Sequence, residues 1–427
     1  MIKNSSIFSH NLPLLYDNHI HAKFKYMTLV FLFVGLSATI LISVPSATLV
    51  YSLSNSSNNN IAKTVLTNQS SSTLDFKQIS PEIKNFILDK VVDKSKAAIV
   101  VGLIDSKGTK VYSFGNISKE NNIPVNGSTL FNIASITKTF TTLVLADMVK
   151  QGIVHLDDPI EKYLPSNVKV PQYNGTKITL ENLATHTSGL PFMPSNIWIN
   201  NTVGELNPNY NETQLYQGLA NTTLLSKPGT KFLYSDFGSG LLGHILSLKE
   251  GLPYEQLVKN RILDVLGMND TKITLSQNDI KLKFPVGHAN GSEIQTPIIP
   301  DVMAGGGSFR STANDMLKYV SANMGFLHTK LDDAIALQHL IQHPSMLPNP
   351  MNYSSYAGLG WGILTNFGTE VLAHAGSING WNSYAAFIPT KQTGVVLLCS
   401  CDPGDVDMKK LGYVLLHLMD IQKIIGH

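Results

Sequence analysis

The residues best suited to chemistry stand close together about a third of the way along the chain. In "FNIASITKTFTTL", Phe131 to Leu143, a serine and a lysine lie three positions apart inside an apolar run. On a helix, positions i and i+3 adjoin, so Ser135 and Lys138 share a face. Phe131, Ile133, Ile136, Phe140 and Leu143 bury much of that helix, and burial favours the neutral form of an amine. A neutral amine beside a hydroxyl takes its proton as the oxygen attacks a carbonyl, which is the chemistry of an activated serine nucleophile. Alone, S-x-x-K recurs by chance in long chains, and an exposed lysine at a helix start is the plainer reading.

Two further motifs follow. "KFLYSDFGSGLLGHIL" contains Tyr234, Ser235 and Asp236 ahead of an apolar helix, and "EVLAHAGSINGWNSY" contains His374, Ala375 and Gly376 on a strand. In this order the three elements resemble the penicillin-recognising serine hydrolases, with their S-x-x-K, Y-x-N and K-T-G or H-x-G motifs. The likeness is to class C β-lactamases and their D-alanyl-D-alanine carboxypeptidase, D-aminopeptidase and esterase relatives. It extends through "LATHTSGLP" at Leu183, "PGTKFLYSDFG" at Pro228, "ILDVLGMNDT" at Ile262 and "AGGGSFRSTANDMLKY" at Ala304, over residues 78 to 422.

The resemblance implies a role for each residue. Ser135 is the acylated nucleophile, Lys138 shares its proton, and Tyr234 acts with Lys138 as base and protonates the leaving group. The backbone N–H groups of Ser135 and Ser377 form the oxyanion hole, and Gly376 lets substrate lie against the strand edge. His374 and Asp236 face substrate. Two departures stand out. Asp236 replaces the usual asparagine, so its charge either holds Lys138 protonated or binds a substrate amine. His374 replaces the usual lysine and offers only a partial positive charge near neutral pH. His186, in "ATHTSGLP", reads as a structural turn residue, and Gly305 to Gly307 read as a tight turn beside the site rather than a phosphate cradle.

The elements that must position these residues can be read around them. "AAIVVGLIDSKGTKVYSFG" is a hairpin turning at Asp105 to Gly108, after a helix that opens with Ser80 and Pro81. "YAGLGWGIL", "EVLAHAG", "WNSYAAFIP" and "GVVLLCSC" are strands near the other end, and Asp405 to Ile425 form an amphipathic helix that packs on them. Strands at both ends with helices between predict an α+β, β-lactamase-like fold. Its antiparallel sheet is built from both chain ends and holds a mainly helical insertion.

Composition narrows the function classes. Net charge is +2 with no basic stripe, which speaks against nucleic acid; no metal-ligand spacing occurs, so neither metal nor cofactor is expected. Cys399 and Cys401, the only cysteines, would point to one face of a strand, where a bridge needs strained geometry, so they read as small buried hydrophobes. Residues 28–50 carry no charge and follow Lys23 and Lys25, which predicts a transmembrane anchor, in preference to a cleaved signal segment, with the remainder outside. Twelve N-x-S/T sequons, more than chance gives, agree with an exported glycoprotein. The organisation expected is a cytoplasmic leader at 1–26, an anchor or signal segment at 27–51, a Ser/Asn-rich tether at 52–75 and a hydrolase domain at 76–427. The function expected is a membrane-tethered extracytoplasmic serine hydrolase acting on a small amide or ester (a D-amino-acid peptide, a β-lactam-like compound or an ester). The alternative is a slowly turning-over ligand-binding receptor or pseudoenzyme on the same fold.

Overall fold

The computed structural model describes residues 29–32, 38–43, 48–53, 79, 81–118, 122–199, 205–340, 342–345, 354–366 and 369–425. They fall into two units, within 1–73 and within 74–427, taken separately here.

In the first unit, β1 (Leu29–Leu32), β2 (Ala38–Ser43) and β3 (Thr48–Leu53) pair as an antiparallel meander. This departs from the spanning helix expected over 28–50. The run is rich in Val, Ile and Thr and is broken by Gly35 and Pro45, which favours short strands over one long helix. Among the described residues no helix is long and apolar enough to cross a membrane. The leader at 1–26 and the tether from 54 to 75 lie outside the described residues.

The second unit begins with α1 (Pro81–Ile87), β4 (Ile99–Asp105) and β5 (Gly108–Phe114). The two-stranded pair β6 (Phe131–Asn132) and β9 (Arg310–Ser311) encloses most of the helices: α2 (Thr137–Lys150), α3 (Leu180–Ala184), α4 (Glu212–Ala220), α5 (Asp236–Glu250), α6 (Tyr254–Val258), α7 (Asp264–Leu266) and α8 (Gln277–Leu282). The small hairpin β7 (Gly287–Ala289) and β8 (Ser292–Ile294) also lies in this stretch. After it come α9 (Ala313–Asn323), α10 (Asp332–Gln338), β10 (His343–Pro344), β11 (Ser354–Ala357), β12 (Gly362–Asn366), β13 (Thr369–Ile378), β14 (Trp381–Ile388), β15 (Thr393–Cys399) and α11 (Met408–Ile425).

One eight-stranded sheet runs β10-β11-β12-β13-β14-β15-β4-β5, antiparallel throughout. The first hairpin thus adds to the last strand, as both-ends logic requires. Alternate side chains of β15 serve two layers. Val396 and Leu398 join the core cluster with Leu317 and Val320 of α9, while Leu397 and Tyr384 of β14 lie against Gly412 of α11. A Cβ on Gly412 would come within 2.3 Å of the Tyr384 ring, so glycine sets how closely α11 docks.

Helix α2 is buried on every side from Thr137 to Met148, as expected of a helix surrounded by protein. Phe140 stacks on Tyr319 at 4.1 Å between centroids. Cys399 and Cys401 form a disulfide with Cα atoms 5.2 Å apart, correcting the reading of two free buried hydrophobes. The strand ends at Cys399 and the chain bends at Ser400, so the two side chains no longer follow strand geometry.

Candidate active site

The turn that carries Ser135 is built from both sides. Ser135 does not lie in regular α-helix, as the spacing alone suggests. It lies in a 3₁₀ turn, Ala134–Ile136, that leads into α2. Ala134 has φ +42°, a left-handed conformation that costs a Cβ-bearing residue about 1 kcal/mol or more. Neighbouring groups hold it there. Ile133 N–H donates to Phe309 O (3.1 Å), while Ile133 O accepts from Ile136 N–H (3.1 Å) and from the Ser383 hydroxyl (2.9 Å).

Gly376 belongs to the same clamp. A Cβ there would sit 2.0 Å from Ile133 O and 2.4 Å from Ser383 Oγ. The missing side chain therefore makes room for the turn that carries Ser135.

Lys138 is the centre of the site. Its side chain is 1% exposed, and its ammonium group sits among three oxygens. Nζ donates to Ser135 Oγ at 2.8 Å and to Gly306 O at 2.5 Å, and lies 2.7 Å from Asp236 Oδ1. Burial lowers the pKa of the amine, but the field of Asp236, aided by Tyr234, outweighs it, and the net shift is upward. This reverses the expectation from burial alone: Lys138 rests as an ammonium. Of the two options left open for Asp236, its carboxylate occupies the first, against Lys138.

Tyr234 stands beside this pair, with Lys138 Nζ 5.0 Å from its ring centroid. Burial raises the phenol's pKa against the opposing field of Lys138, so it is a proton donor at neutral pH. The ring lies 4.4 Å from that of His186. His186 has φ +57°, and its Nδ1 accepts from Ser235 N–H at 3.1 Å. The Ser235 hydroxyl accepts in turn from Gly238 N–H (2.9 Å), capping α5, and donates to Pro191 O (2.7 Å). The loop around His186 thus fixes the residues on both sides of Ser235. Burial, together with Lys138 and His374, holds His186 well below the usual histidine range.

His374 is on β13, and its Nδ1–H donates to Ala375 O at 2.8 Å, which leaves Nε2 as an acceptor. Burial, with the field of Lys138, drops its pKa to about 3. Burial there favours the neutral imidazole over the partial charge the sequence suggests. Ser377 and Ser135 line one open pocket with Asp236, Gly306 and Gly307.

The structure therefore brings Ser135, Lys138, Tyr234 and Asp236 together, with Ser377 on the same wall and Gly376 behind the turn. Sequence reasoning missed the fastening residues: Ser383, His186 as a support for Tyr234, and Thr141, whose hydroxyl donates to Gly305 O at 2.8 Å. Ser383 was reachable by counting. The Asn379–Gly380 turn pairs Ile378 with Trp381, and two steps back on each strand puts Gly376 opposite Ser383.

Residues 88–419 match the beta-lactamase family. The D-alanyl-D-alanine-carboxypeptidase/endopeptidase AmpH of Escherichia coli (strain K12) is 28% identical over 344 residues, covering 76% of this chain and 86% of its own. A beta-lactamase of Pseudomonas fluorescens is 26% identical over 359 residues, covering 76% of this chain and 94% of its own. Among solved structures, a beta-lactamase/D-alanine carboxypeptidase from Yersinia pestis, complexed with citrate, shares the fold. Its TM-score is 0.67 at 24% identity, over 80% of this chain and 98% of that one.

Proposed function

The chain belongs to the beta-lactamase family of serine hydrolases, and we propose that it is an exported member that cleaves a small ester or amide through an acyl-enzyme on Ser135. The observation that carries the reading is the 2.8 Å contact between Lys138 Nζ and Ser135 Oγ inside a buried, pocket-lining cluster. Ser135 Oγ attacks the substrate carbonyl and its proton passes to Lys138 once that amine has become neutral. Tyr234 gives its proton to the leaving group, and the backbone N–H groups of Ser135 and Ser377 hold the oxyanion. Water then releases the acyl group.

Because Asp236 keeps Lys138 protonated, acylation rises with pH. That same contact favours the second reading, a slowly turning-over receptor at neutral pH. Multiple turnover on an ester panel at neutral pH rejects the receptor; slow acylation without a burst and without further turnover supports it.

Export is supported by the charge-free stretch at 28–50 behind Lys23 and Lys25 and by the disulfide, a bond of oxidising compartments. The seven sequon asparagines among the described residues (Asn116, Asn126, Asn174, Asn211, Asn221, Asn269 and Asn290) are all exposed, as glycan acceptors must be. The domain plan, an N-terminal leader and an anchor or signal segment with a tether ahead of the hydrolase domain at 76–427, belongs to this proposal.

The test is labelling with a fluorophosphonate or a fluorescent penicillin, followed by peptide mapping. The adduct is expected on Ser135, and Ser135→Ala is expected to lower turnover by roughly 10⁴-fold or more. Labelling that survives this substitution overturns the assignment.

A further inference from the structure

Whatever remains bonded to Ser135 after the leaving group departs must occupy the space that Ser135 lines. Apart from Ser135, Ser377 and Asp236, that space is lined by apolar side chains and glycine. Its side walls are Met193, Ile197, Leu206, Ile299, Met303 and Ile378. Phe192, Ile199 and Ile298, each one or two residues along the chain from a lining residue, are exposed apolar side chains, at 52%, 37% and 60%.

The charges point the same way. Among the described residues no cationic side chain lines the pocket. Lys138 is engaged by Asp236, and His374 is neutral with its Nδ1–H held by Ala375 O. Besides Lys138, the lysine whose field reaches His374 is Lys409, an exposed residue at the start of α11 that does not line the pocket. The charged residues next to lining positions are acidic: Glu205 beside Leu206 and Asp301 beside Pro300, both exposed. A substrate carboxylate entering here loses hydration, gains no cation and meets the carboxylate of Asp236 in the pocket lining.

We infer that the enzyme selects neutral esters or amides with an apolar acyl group and discriminates against substrates whose acyl group carries a free carboxylate. This rests on the reading of Ser135 as the acylated residue.

The test is a matched set of p-nitrophenyl esters (acetate, butyrate, hexanoate and hydrogen glutarate), run beside fluorophosphonate labelling of Ser135. The expected result is kcat/KM rising up to about fourfold per methylene to hexanoate. The glutarate monoester is expected at least about a hundredfold below hexanoate. Ile298→Lys, at an exposed position that tolerates charge, is expected to raise glutarate turnover severalfold relative to hexanoate. Ser135 labelled normally, with glutarate turned over as fast as hexanoate or with no dependence on chain length, overturns this inference alone. No labelling and no turnover overturns it together with the reading of Ser135.

Discussion

Helices α2 and α5 are tied at both ends by buried ion pairs, and the two ties are built differently. At the front, Lys138 near the start of α2 meets Asp236, the first residue of α5. At the back, Arg261 bridges Asp147 of α2 (2.7 Å) and Glu250, the last residue of α5 (2.8 Å). The helices therefore run side by side in one direction. The back tie has two carboxylates for one guanidinium, with Gln151 Oε1 a further acceptor at 3.3 Å, and no member of it lines the pocket. It is a fixed charge whose two terminal nitrogens are shared among three acceptors, with its buried Nε left without a hydrogen-bond partner. The front tie has one carboxylate, the Ser135 hydroxyl and, at Asp236, the wall of the pocket. A buried pair adds stability when its partners are complete, whereas a pair with a labile proton adds chemistry.

The sharpest way to break this contrast is to remove the cation from each tie. Lys138→Ala is expected to lower kcat/KM by about a thousandfold or more, and to lower stability too, because it empties a fully buried position and leaves the buried Asp236 Oδ1 without its cation. Arg261→Ala is expected to act on stability alone. It leaves Asp147 buried without its cation and costs about 3 kcal/mol in urea unfolding, with kcat/KM per folded molecule unchanged. A catalytic loss in Arg261→Ala, or none in Lys138→Ala, would erase the distinction.

Asp236→Asn sharpens it. Without the carboxylate, the field that raises Lys138 is gone and burial lowers the pKa of the amine. The acid limb of the acylation rate is expected to move to lower pH, and acylation at neutral pH to quicken. The stability linkage has the opposite sense. A raised lysine pKa contributes stability that is full below the ordinary amine value, near 10.5, and is lost as pH rises through the folded value. Wild type and variant should therefore converge in stability at strongly alkaline pH. An acid limb that stays in place means that Lys138 is not the group whose proton controls attack.

These two ties also mark what the sequence discloses. The front one was legible because function places Ser135 and Lys138 within one turn and repeats short motifs around Tyr234 and His374. The sheet was legible too, since period-2 runs at both ends name their own faces. The back tie was not: Asp147, Glu250 and Arg261 look like ordinary surface charges until the helices are packed. The charge state of Lys138 was hidden for the same reason, because burial and a neighbouring carboxylate pull oppositely and only distance decides between them. The disulfide was missed by extending strand geometry one residue too far, past the bend at Ser400.

A third ion pair sets the scale for a tie that neither reacts nor joins helices. Asp158 accepts from Lys162 Nζ at 2.7 Å, from His155 N–H at 2.8 Å and from the Tyr163 hydroxyl. Burial raises the pKa of its carboxyl, but these hydrogen bonds outweigh that and hold it at about 2, against 3.8 ordinarily. A depressed acid contributes stability above its unfolded pKa and loses it as pH falls through the folded one, here between about pH 4 and 2. Lys162 is half exposed, so solvent screening reduces the gain to about 1 kcal/mol. Asp158→Asn is expected to lower stability by that amount at pH 7, to match wild type near pH 2, and to leave kcat/KM unaltered. A loss near 3 kcal/mol would put this surface pair in the same class as Arg261, and depth of burial would no longer separate the ties.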